Sequence, residues 1–249
     1  MKQYYGPVVV LLENDSQDTL EWAAAEAASR SAELRIVYAF RWPHLLDPLG
    51  ELTVEERDLE AADAVVDEAI EHVQAIFPSL RISSTVFPGR PLTALLNEAR
   101  ESTGALVVIG RGRRFERALS RRLARRTTAS LAVVGLTSDH AVGPSTGRVV
   151  VAVGGHDRPD ALGFAFGAAR RRGTGLTILQ TTPADVTAWQ TAYPEVDVRR
   201  SPVTGTVESA VLAESTAAAL TVLTADRTWL QQTGSATVAR LAGGPVVLV

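Results

Sequence analysis

Val8-Val9-Val10-Leu11-Leu12 is a short, continuous apolar run, and such a run is typical of a β-strand that is covered on both faces of its sheet. Val149-Val150-Val151-Ala152-Val153 is a second run of the same kind, 141 residues further along the chain. A polar turn and then a helical pattern of apolar residues follow each run. The sequence is therefore predicted to contain two similar α/β units.

Three more pairs of apolar runs continue the repeat, and each run is predicted to form a strand: Leu34–Phe40 with Leu176–Thr182, Ala105–Ile109 with Leu220–Leu223, and Leu131–Val134 with Val246–Val249. Strands that alternate with helices indicate right-handed crossovers and a doubly wound, parallel sheet in each unit. The predicted division is residues 1–140 for a first domain, 141–147 for a linker that contains Gly and Pro, and 148–249 for a second, shorter domain.

The second copy is shorter because it lacks a long helix. In the first copy, Thr53 and Glu56 have the spacing of a capping box, which predicts that a helix begins there. An apolar stripe follows, consisting of Leu59, Ala62, Val66, Ala69, Ile70 and Val73. The other face of this helix, between Glu55 and Glu71, is strongly acidic. The second copy has only residues 184–192 in its place.

The composition is that of a globular protein, with 46% hydrophobic and 21% charged residues. There is no cysteine, which excludes disulfides and cysteine nucleophiles, and the four histidines lack the spacing of metal ligands. No apolar run approaches the about 18–20 residues that span a bilayer, and the first residues lack the apolar core of a secretion signal. We expect a cytoplasmic protein with no membrane partner and no metal.

Several short motifs, in their order along the chain, resemble those of the universal stress protein family. Asn14-Asp15-Ser16 and Glu21-Trp22-Ala23-Ala24-Ala25 resemble the family's opening turn and helix, Gly89-Arg90-Pro91 its Gly-x-Pro, and Gly244–Val249 its closing strand. The resemblance implies Rossmann-like domains with five-stranded parallel sheets, and a nucleotide site, where present, above the carboxyl ends of the strands. It also implies that the closing edge strands pair, with the sister domain or with a second copy of the chain.

Nucleotide-binding members of that family carry an Asp after the first strand and a Gly-x-x-Gly motif after the fourth, followed by Gly-Ser or Gly-Thr. This sequence departs from the pattern. Glu13 stands at the Asp position, the loop after the fourth strand reads Gly110-Arg111-Gly112-Arg113, and in the second copy only Gly234-Ser235 remains. The candidate nucleotide-binding residues are therefore Glu13, Gly110, Arg111, Gly112, Arg113, Gly234 and Ser235, and we expect them to be vestigial, with no cofactor. The glycines also fit a tight turn and Ser235 a helix cap, and ATP with Mg²⁺ is the alternative cofactor.

Residues 111–126 include eight arginines and one acid, Glu116. The segment is predicted to form a helix that begins close to Arg114, with a cationic patch made of Arg114, Arg117, Arg121, Arg122, Arg125 and Arg126. One interpretation is a solvated face that the acidic Glu55–Glu71 helix partly neutralises. The other is a site for a polyanion or an acidic protein. Nucleic acid is disfavoured, because no aromatic residues interleave with the arginines.

Three functions are compatible with these observations. The leading one is a non-enzymatic regulatory or scaffold protein of the universal stress type, with degenerate nucleotide sites in both domains. The alternative is an ATP-binding stress protein, with nucleotide in the first domain, arginine-assisted binding and slow ATP hydrolysis. The third is an enzyme with a pyrophosphatase-type loop, which Gly154-Gly155-His156-Asp157 resembles only weakly.

Overall fold

The structure is a computed structural model, and it describes residues 6–13, 17–40, 56–111, 123, 129–135, 147–153, 159–181, 183, 185–224, 238 and 241–249. Its contacts divide the chain into two compact units, Met1–Val108 and Ile109–Val249. This division lies earlier in the chain than the boundary that the sequence repeat predicts. The linker predicted at 141–147 lies outside the described residues except for Gly147, so the domain boundaries at 140 and 148 stay a prediction.

The first unit is a parallel sheet with helices between its strands. Its strands are β1 (Val8–Leu12), β2 (Leu34–Phe40), β3 (Ile82–Pro88) and β4 (Leu106–Gly110), whose last two residues are counted with the second unit. Its helices are α1 (Gln17–Arg30), α2 (Glu56–Ile76) and α3 (Pro91–Glu101). The strand order is β3-β2-β1-β4, and every neighbouring pair runs parallel.

The apolar patterns explain where these elements pack. All five residues of β1 are buried, as expected of a central strand. Helix α1 contacts β1 through small side chains, including Ala23, Ala24 and Ala27. Four members of the predicted α2 stripe are buried, namely Ala62, Val66, Ala69 and Val73. The stripe is narrower than predicted, because Leu59 is 37% exposed at its margin.

The second unit has the same alternation of strands and helices. Its strands are β5 (Ser130–Val134), β6 (Val149–Val153), β7 (Leu176–Gln180), β8 (Val198–Pro202), β9 (Leu220–Leu223) and β10 (Val246–Leu248). Its helices are α4 (Pro159–Arg172), α5 (Thr187–Ala192) and α6 (Val207–Ser215). The strand order is β5-β10-β9-β6-β7-β8, parallel except between β5 and β10. The α/β class with mostly parallel sheets is confirmed.

The two closing strands pair with each other. Strand β10 runs antiparallel to β5, with Val246 opposite Val133, Val247 opposite Ala132 and Leu248 opposite Leu131. These residues are buried, and the pairing satisfies backbone groups along an edge that each strand would otherwise leave open. This pairing was predicted. It also explains why β5 is counted with the second unit, although the sequence repeat assigns it to the first copy.

Candidate functional site

The two strand ends that the sequence analysis singled out in the first copy are both described. Glu13 directly follows β1 and is half-buried, and Gly110 is the last residue of β4. Strands β1 and β4 pair in parallel through Val8 with Leu106, Val9 with Val107 and Val10 with Val108. Ligands of open α/β sheets bind beyond the carboxyl ends of such strands. The sheet therefore places Glu13 and Gly110 after the expected strands.

Arg111 is the candidate residue whose contacts are best defined. Its backbone N–H donates to the carbonyl oxygen of Val134, with an N–O distance of 2.7 Å. Its guanidinium Nη1 lies 2.5 Å from the carbonyl oxygen of Ala242, and Nη2 lies 3.1 Å from that of Gly244. All four residues belong to the second unit. Arg111 therefore bonds to the chain's own backbone, on the loop that leads into β10.

A glycine makes room for this side chain. A Cβ placed on Gly135 would lie 2.5 Å from Nη1 of Arg111, a distance that real Cβ atoms do not reach. Any side chain at position 135 would displace the guanidinium. We call the arrangement of Arg111, Gly135 and the carbonyls of Ala242 and Gly244 the Arg111 clamp.

The loop before β10 is also held from its other side. The backbone N–H of Gly243 donates to Oγ of Ser215 at 3.2 Å, and this hydroxyl donates to the carbonyl of Leu212 at 2.8 Å. Ser215 is fully buried. A Cβ on Gly243 would meet Cα of Thr216 at 2.8 Å, so the backbone approaches α6 closely. Sequence reasoning missed Ser215 and Gly135, and the glycines at 135, 243 and 244 were the available signal.

Most of the other predicted site residues cannot be placed. Gly112, Arg113, Gly234 and Ser235 lie outside the described residues. So does the predicted cationic patch, with Arg114, Arg117, Arg121, Arg122, Arg125 and Arg126. Within that segment the structure describes Leu123, which is helical and fully buried. The patch and the nucleotide-binding roles stay predictions.

A polar network lies at the opposite edge of the first sheet, where β2 begins. Arg35 donates through Nε to Glu33 at 3.1 Å and through Nη1 to Ser102 at 2.9 Å and Glu98 at 3.4 Å. Ser83 donates to the other oxygen of Glu33 at 2.8 Å. Partial burial tends to raise the pKa of Glu33, but the hydrogen bonds from Ser83 and Arg35, with the charge of Arg35, lower it below its usual range.

The second unit has an arginine at the matching edge, but it comes from a different strand. Arg148 precedes β6 and lies 2.6 Å through Nη1 from the carboxylate of Asp197. Its other nitrogens donate to Oγ1 of Thr177 at 3.1 Å and to the carbonyls of Leu176 and Asp197. These contacts join the amino ends of β6, β7 and β8. Both arginines lie at the edge opposite the one where ligands of such sheets bind.

Two kinds of feature are absent from the residues that the structure describes. None of the helices in that part of the chain is long and apolar enough to cross a membrane. The same residues contain no group of three or more His, Asp or Glu side chains that could hold a metal ion.

The alternating α/β order and the loops at the strand ends define a Rossmann-like protein. The family model described as the universal stress protein family matches residues 5–135, just over half of the chain. Universal stress proteins Rv3134c and MT3220, from Mycobacterium tuberculosis strains H37Rv and CDC 1551, are each 31% identical over 206 residues, covering 72% of this chain and 73% of theirs. The chain belongs to the universal stress protein family.

Solved structures show the same fold at low sequence identity. A universal stress protein from Archaeoglobus fulgidus DSM 4304 matches with a TM-score of 0.68 and 16% identity, covering 98% of this chain and 95% of that one. The functionally unknown protein PA1789 from Pseudomonas aeruginosa PAO1 matches with a TM-score of 0.60 and 13% identity, covering 98% and 92%. Both likenesses concern the fold alone.

Proposed function

We propose that this chain is a non-enzymatic regulatory or scaffold protein of the universal stress family whose nucleotide sites are degenerate. The observation that carries this proposal is the Arg111 clamp. Arg111 directly follows β4, where the family resemblance places the loop that holds the phosphates. Its backbone N–H is bonded to Val134, and two guanidinium nitrogens are bonded to Ala242 and Gly244.

A phosphate cradle needs backbone N–H groups that converge on the ligand and glycines that let the backbone come close. The N–H of Arg111 already donates to a carbonyl, so a phosphate would have to displace Val134. Its side chain adds a Cβ where the loop would have to approach the ligand. In the second copy, β9 is followed by Thr224-Ala225-Asp226-Arg227, which contains no glycine. Both loops thus lack features that a triphosphate requires.

The missing hydrogen bonds would weaken ATP binding enough to matter at the concentrations of ATP found in cells. Each missing hydrogen bond weakens binding by about 0.5–1.5 kcal/mol, so a few of them move a micromolar site toward millimolar. Arginine compensates in part, because a charge-assisted hydrogen bond contributes about 1.5–3 kcal/mol. It does not supply the shape of the missing loop. We therefore expect no bound ATP and no ATPase activity.

The alternative, an ATP-binding protein with a site in the first copy and slow hydrolysis, is supported by one observation. Glu13 keeps a carboxylate directly after β1, and it is half-buried. In this alternative Glu13 would hold the ribose or the adenine.

Thermal unfolding with increasing ATP and Mg²⁺ distinguishes the two functions. A site with a Kd of about 1 μM would be stabilised by about 4 kcal/mol at 1 mM ATP, which corresponds to a rise in Tm of roughly 8–16 °C. We expect no dose-dependent rise, and no adenine nucleotide released when the purified protein is denatured. A rise of that size that the Glu13→Gln variant loses would establish the alternative.

A further inference from the structure

Strand β3 forms the outer edge of the first unit's sheet. It stands at the end of the strand order, and within the described part of the chain it pairs with β2 alone. Outer strands are usually protected by charged side chains or proline, as β8 is by Arg199, Arg200 and Pro202. Between Ile82 and Phe87, β3 has neither a charge nor a proline. This edge is therefore open to pairing with an extended segment of another chain.

The hydrogen bonds at the two ends of β3 show which of its backbone groups face outward. The carbonyl of Arg81 accepts from the N–H of Leu34, and the N–H of Gly89 donates to the carbonyl of Phe40, both at 2.9 Å. The register with β2 is continuous between these bonds. Because successive residues of a strand point in opposite directions, the odd-numbered residues bond to β2. The outward N–H and C=O groups are those of Ile82, Ser84 and Val86, and Pro88, which has no N–H, takes the next outward position.

Helix α2 places two carboxylates on the side of this open edge. It packs on β2 and β3, while the neighbouring α1 packs on β1 and β2. The side of α2 toward α1 is marked by His72, whose Nε2 lies 2.8 Å from the carboxylate of Glu21. Asp63 stands nine residues before His72, which is about two and a half turns, and so lies on the opposite side of the helix. Asp67, one turn after Asp63, shares that side, which is turned away from α1 and toward the edge of β3.

Neither carboxylate is neutralised by the residues that the structure describes. Asp63 and Asp67 are exposed, and neither makes an ion pair in the described ranges. Leu59, one turn before Asp63, is exposed, and Ile70, one turn after Asp67, is half-buried. This side of α2 thus offers two carboxylates between two apolar side chains. We call it, together with the outward backbone groups of β3, the β3 docking edge.

The spacing of the two carboxylates matches that of alternate side chains on a strand. Asp63 and Asp67 are four residues apart on a helix, which is a rise of about 6 Å. Side chains on one face of a strand recur about every 6.7 Å. A strand added to β3 with basic residues two positions apart would therefore place one beside each carboxylate. Arginine suits this contact, because its planar guanidinium donates two hydrogen bonds to a carboxylate.

We propose that the β3 docking edge binds an extended basic segment of a partner protein, which joins the sheet as a strand and pairs its arginines with Asp63 and Asp67. A second copy of this chain is a poor occupant. Antiparallel pairing of two β3 strands would bring the acidic sides of two α2 helices together, and like charges repel. The surface runs along an outer strand, away from the candidate nucleotide-binding residues, so the proposal does not depend on nucleotide binding.

The first test is the binding of a labelled peptide to the full chain, measured by fluorescence anisotropy at about 50 mM salt. The peptide has about nine residues, with threonine at the odd positions and valine, arginine, arginine and valine at the even ones. We expect a Kd below about 0.3 mM. Of two versions methylated at alternate backbone nitrogens, one should bind at least about tenfold more weakly and the other like the parent, since only alternate N–H groups face β3. A weaker Kd for the parent, or equal binding of both methylated versions, would overturn the proposal.

The second test removes the two carboxylates. Asp63→Asn with Asp67→Asn should weaken peptide binding at least about tenfold, because the arginines lose both charged partners. The matched control is Glu68→Gln with Glu71→Gln, which removes the same charge from other sides of α2. The control should change the Kd by less than about twofold. An equal loss in the two variants would reduce the contact to general attraction by net charge, and the proposal would be wrong.

The third test blocks the edge of β3. Ser84→Pro removes an outward N–H and leaves the ladder with β2 intact, so it should weaken peptide binding at least about tenfold, whereas Ser84→Thr should not. Far-ultraviolet circular dichroism checks that each variant is folded, and the methylated peptides test the same pairing should Ser84→Pro fail to fold. Sedimentation of the wild type tests the other occupant. A dimer that Ser84→Pro abolishes, with no binding of the peptide, would assign the edge to a second copy and overturn the proposal.

Discussion

The two units solve the same packing problem with helices of very different length. In each unit a helix follows the second strand and packs against the unit's first helix. In the first unit this is α2, with 21 residues and four buried aliphatic side chains, Ala62, Val66, Ala69 and Val73. In the second unit it is α5, with six residues and no buried residue of its own.

In the second unit, stacked aromatic rings hold the short helix α5 against α4. Trp189 on α5 and Tyr193, which ends it, stack with Phe166 on α4, with ring centroids 6.2 and 5.7 Å from Phe166. The indole lies over Gly163, where a Cβ would come within 2.7 Å of it. A six-residue helix is far too short to be stable by itself. The packing that α2 obtains from many small contacts is thus provided in α5 by a few large rings. The attachment of α5 therefore depends on one or two residues.

The largest expected effect tests this concentration. Trp189→Ala should destabilise the protein by about 2–4 kcal/mol, because it removes one of the two rings that stack on Phe166 and leaves Tyr193 as the remaining one. Val66→Ala in α2 should cost about 1–2 kcal/mol, since three other buried residues still hold that helix. Urea unfolding of both variants measures the difference. A larger loss of stability in Val66→Ala than in Trp189→Ala would contradict this difference between the units.

A smaller effect is expected where the indole meets the helix below it. Gly163→Ala should cost about 1–2 kcal/mol, although alanine is the better helix former by about 1 kcal/mol, because its Cβ would collide with Trp189. When Trp189 is already alanine, the collision is absent and the same substitution should stabilise by about 1 kcal/mol. A double-mutant cycle in urea gives both values. Equal changes in stability in the two backgrounds would show that the indole of Trp189 does not collide with a side chain at position 163.

The smallest effect concerns the networks at the strand starts, where the first unit uses Arg35 and the second uses Arg148. The pKa of Glu33 is lowered in the folded protein, so its contribution to stability is present above the unfolded value of 4.5 and is lost as the pH falls below it. In the Glu33→Gln variant, the free energy of unfolding should therefore fall less than in the wild type between about pH 5 and pH 3. The difference should be under about 1 kcal/mol, because Glu33 is partly exposed. Unfolding curves at several pH values test this, with Glu101→Gln as the exposed control. An unchanged slope in Glu33→Gln would contradict the network's role.

Much of the fold could be predicted from the sequence, because the central strands β1 and β6 are unbroken apolar runs. Strand β8 was not predicted. Its sequence, Val198-Arg199-Arg200-Ser201-Pro202, suits an outer edge, where solvent replaces a neighbouring strand and the apolar signal disappears. An edge position depends on the fold as a whole, so a local pattern does not reveal it.

The candidate site was less predictable than the fold. The pattern of the family drew attention to Arg111, but not to its partners. The two carbonyl oxygens that its guanidinium contacts are more than 130 residues away in sequence. Every residue has a backbone carbonyl, so the identity of a residue does not reveal that its carbonyl accepts such a bond. The glycines at 135, 243 and 244 are the signal that the sequence offers for this arrangement, and the role of Gly135 becomes clear only when the guanidinium beside it is seen.

The pairing of β5 with β10 has a consequence for the order of events during synthesis. Residues 130–134 leave the ribosome more than a hundred residues before 246–248. At about 5–20 residues per second, one edge of a buried, apolar strand waits roughly 6–20 s for its partner. During that time the edge is open to other nascent chains. Premature termination before β10 would make that exposure permanent, so truncated products of this chain should be far more prone to aggregate than their length suggests.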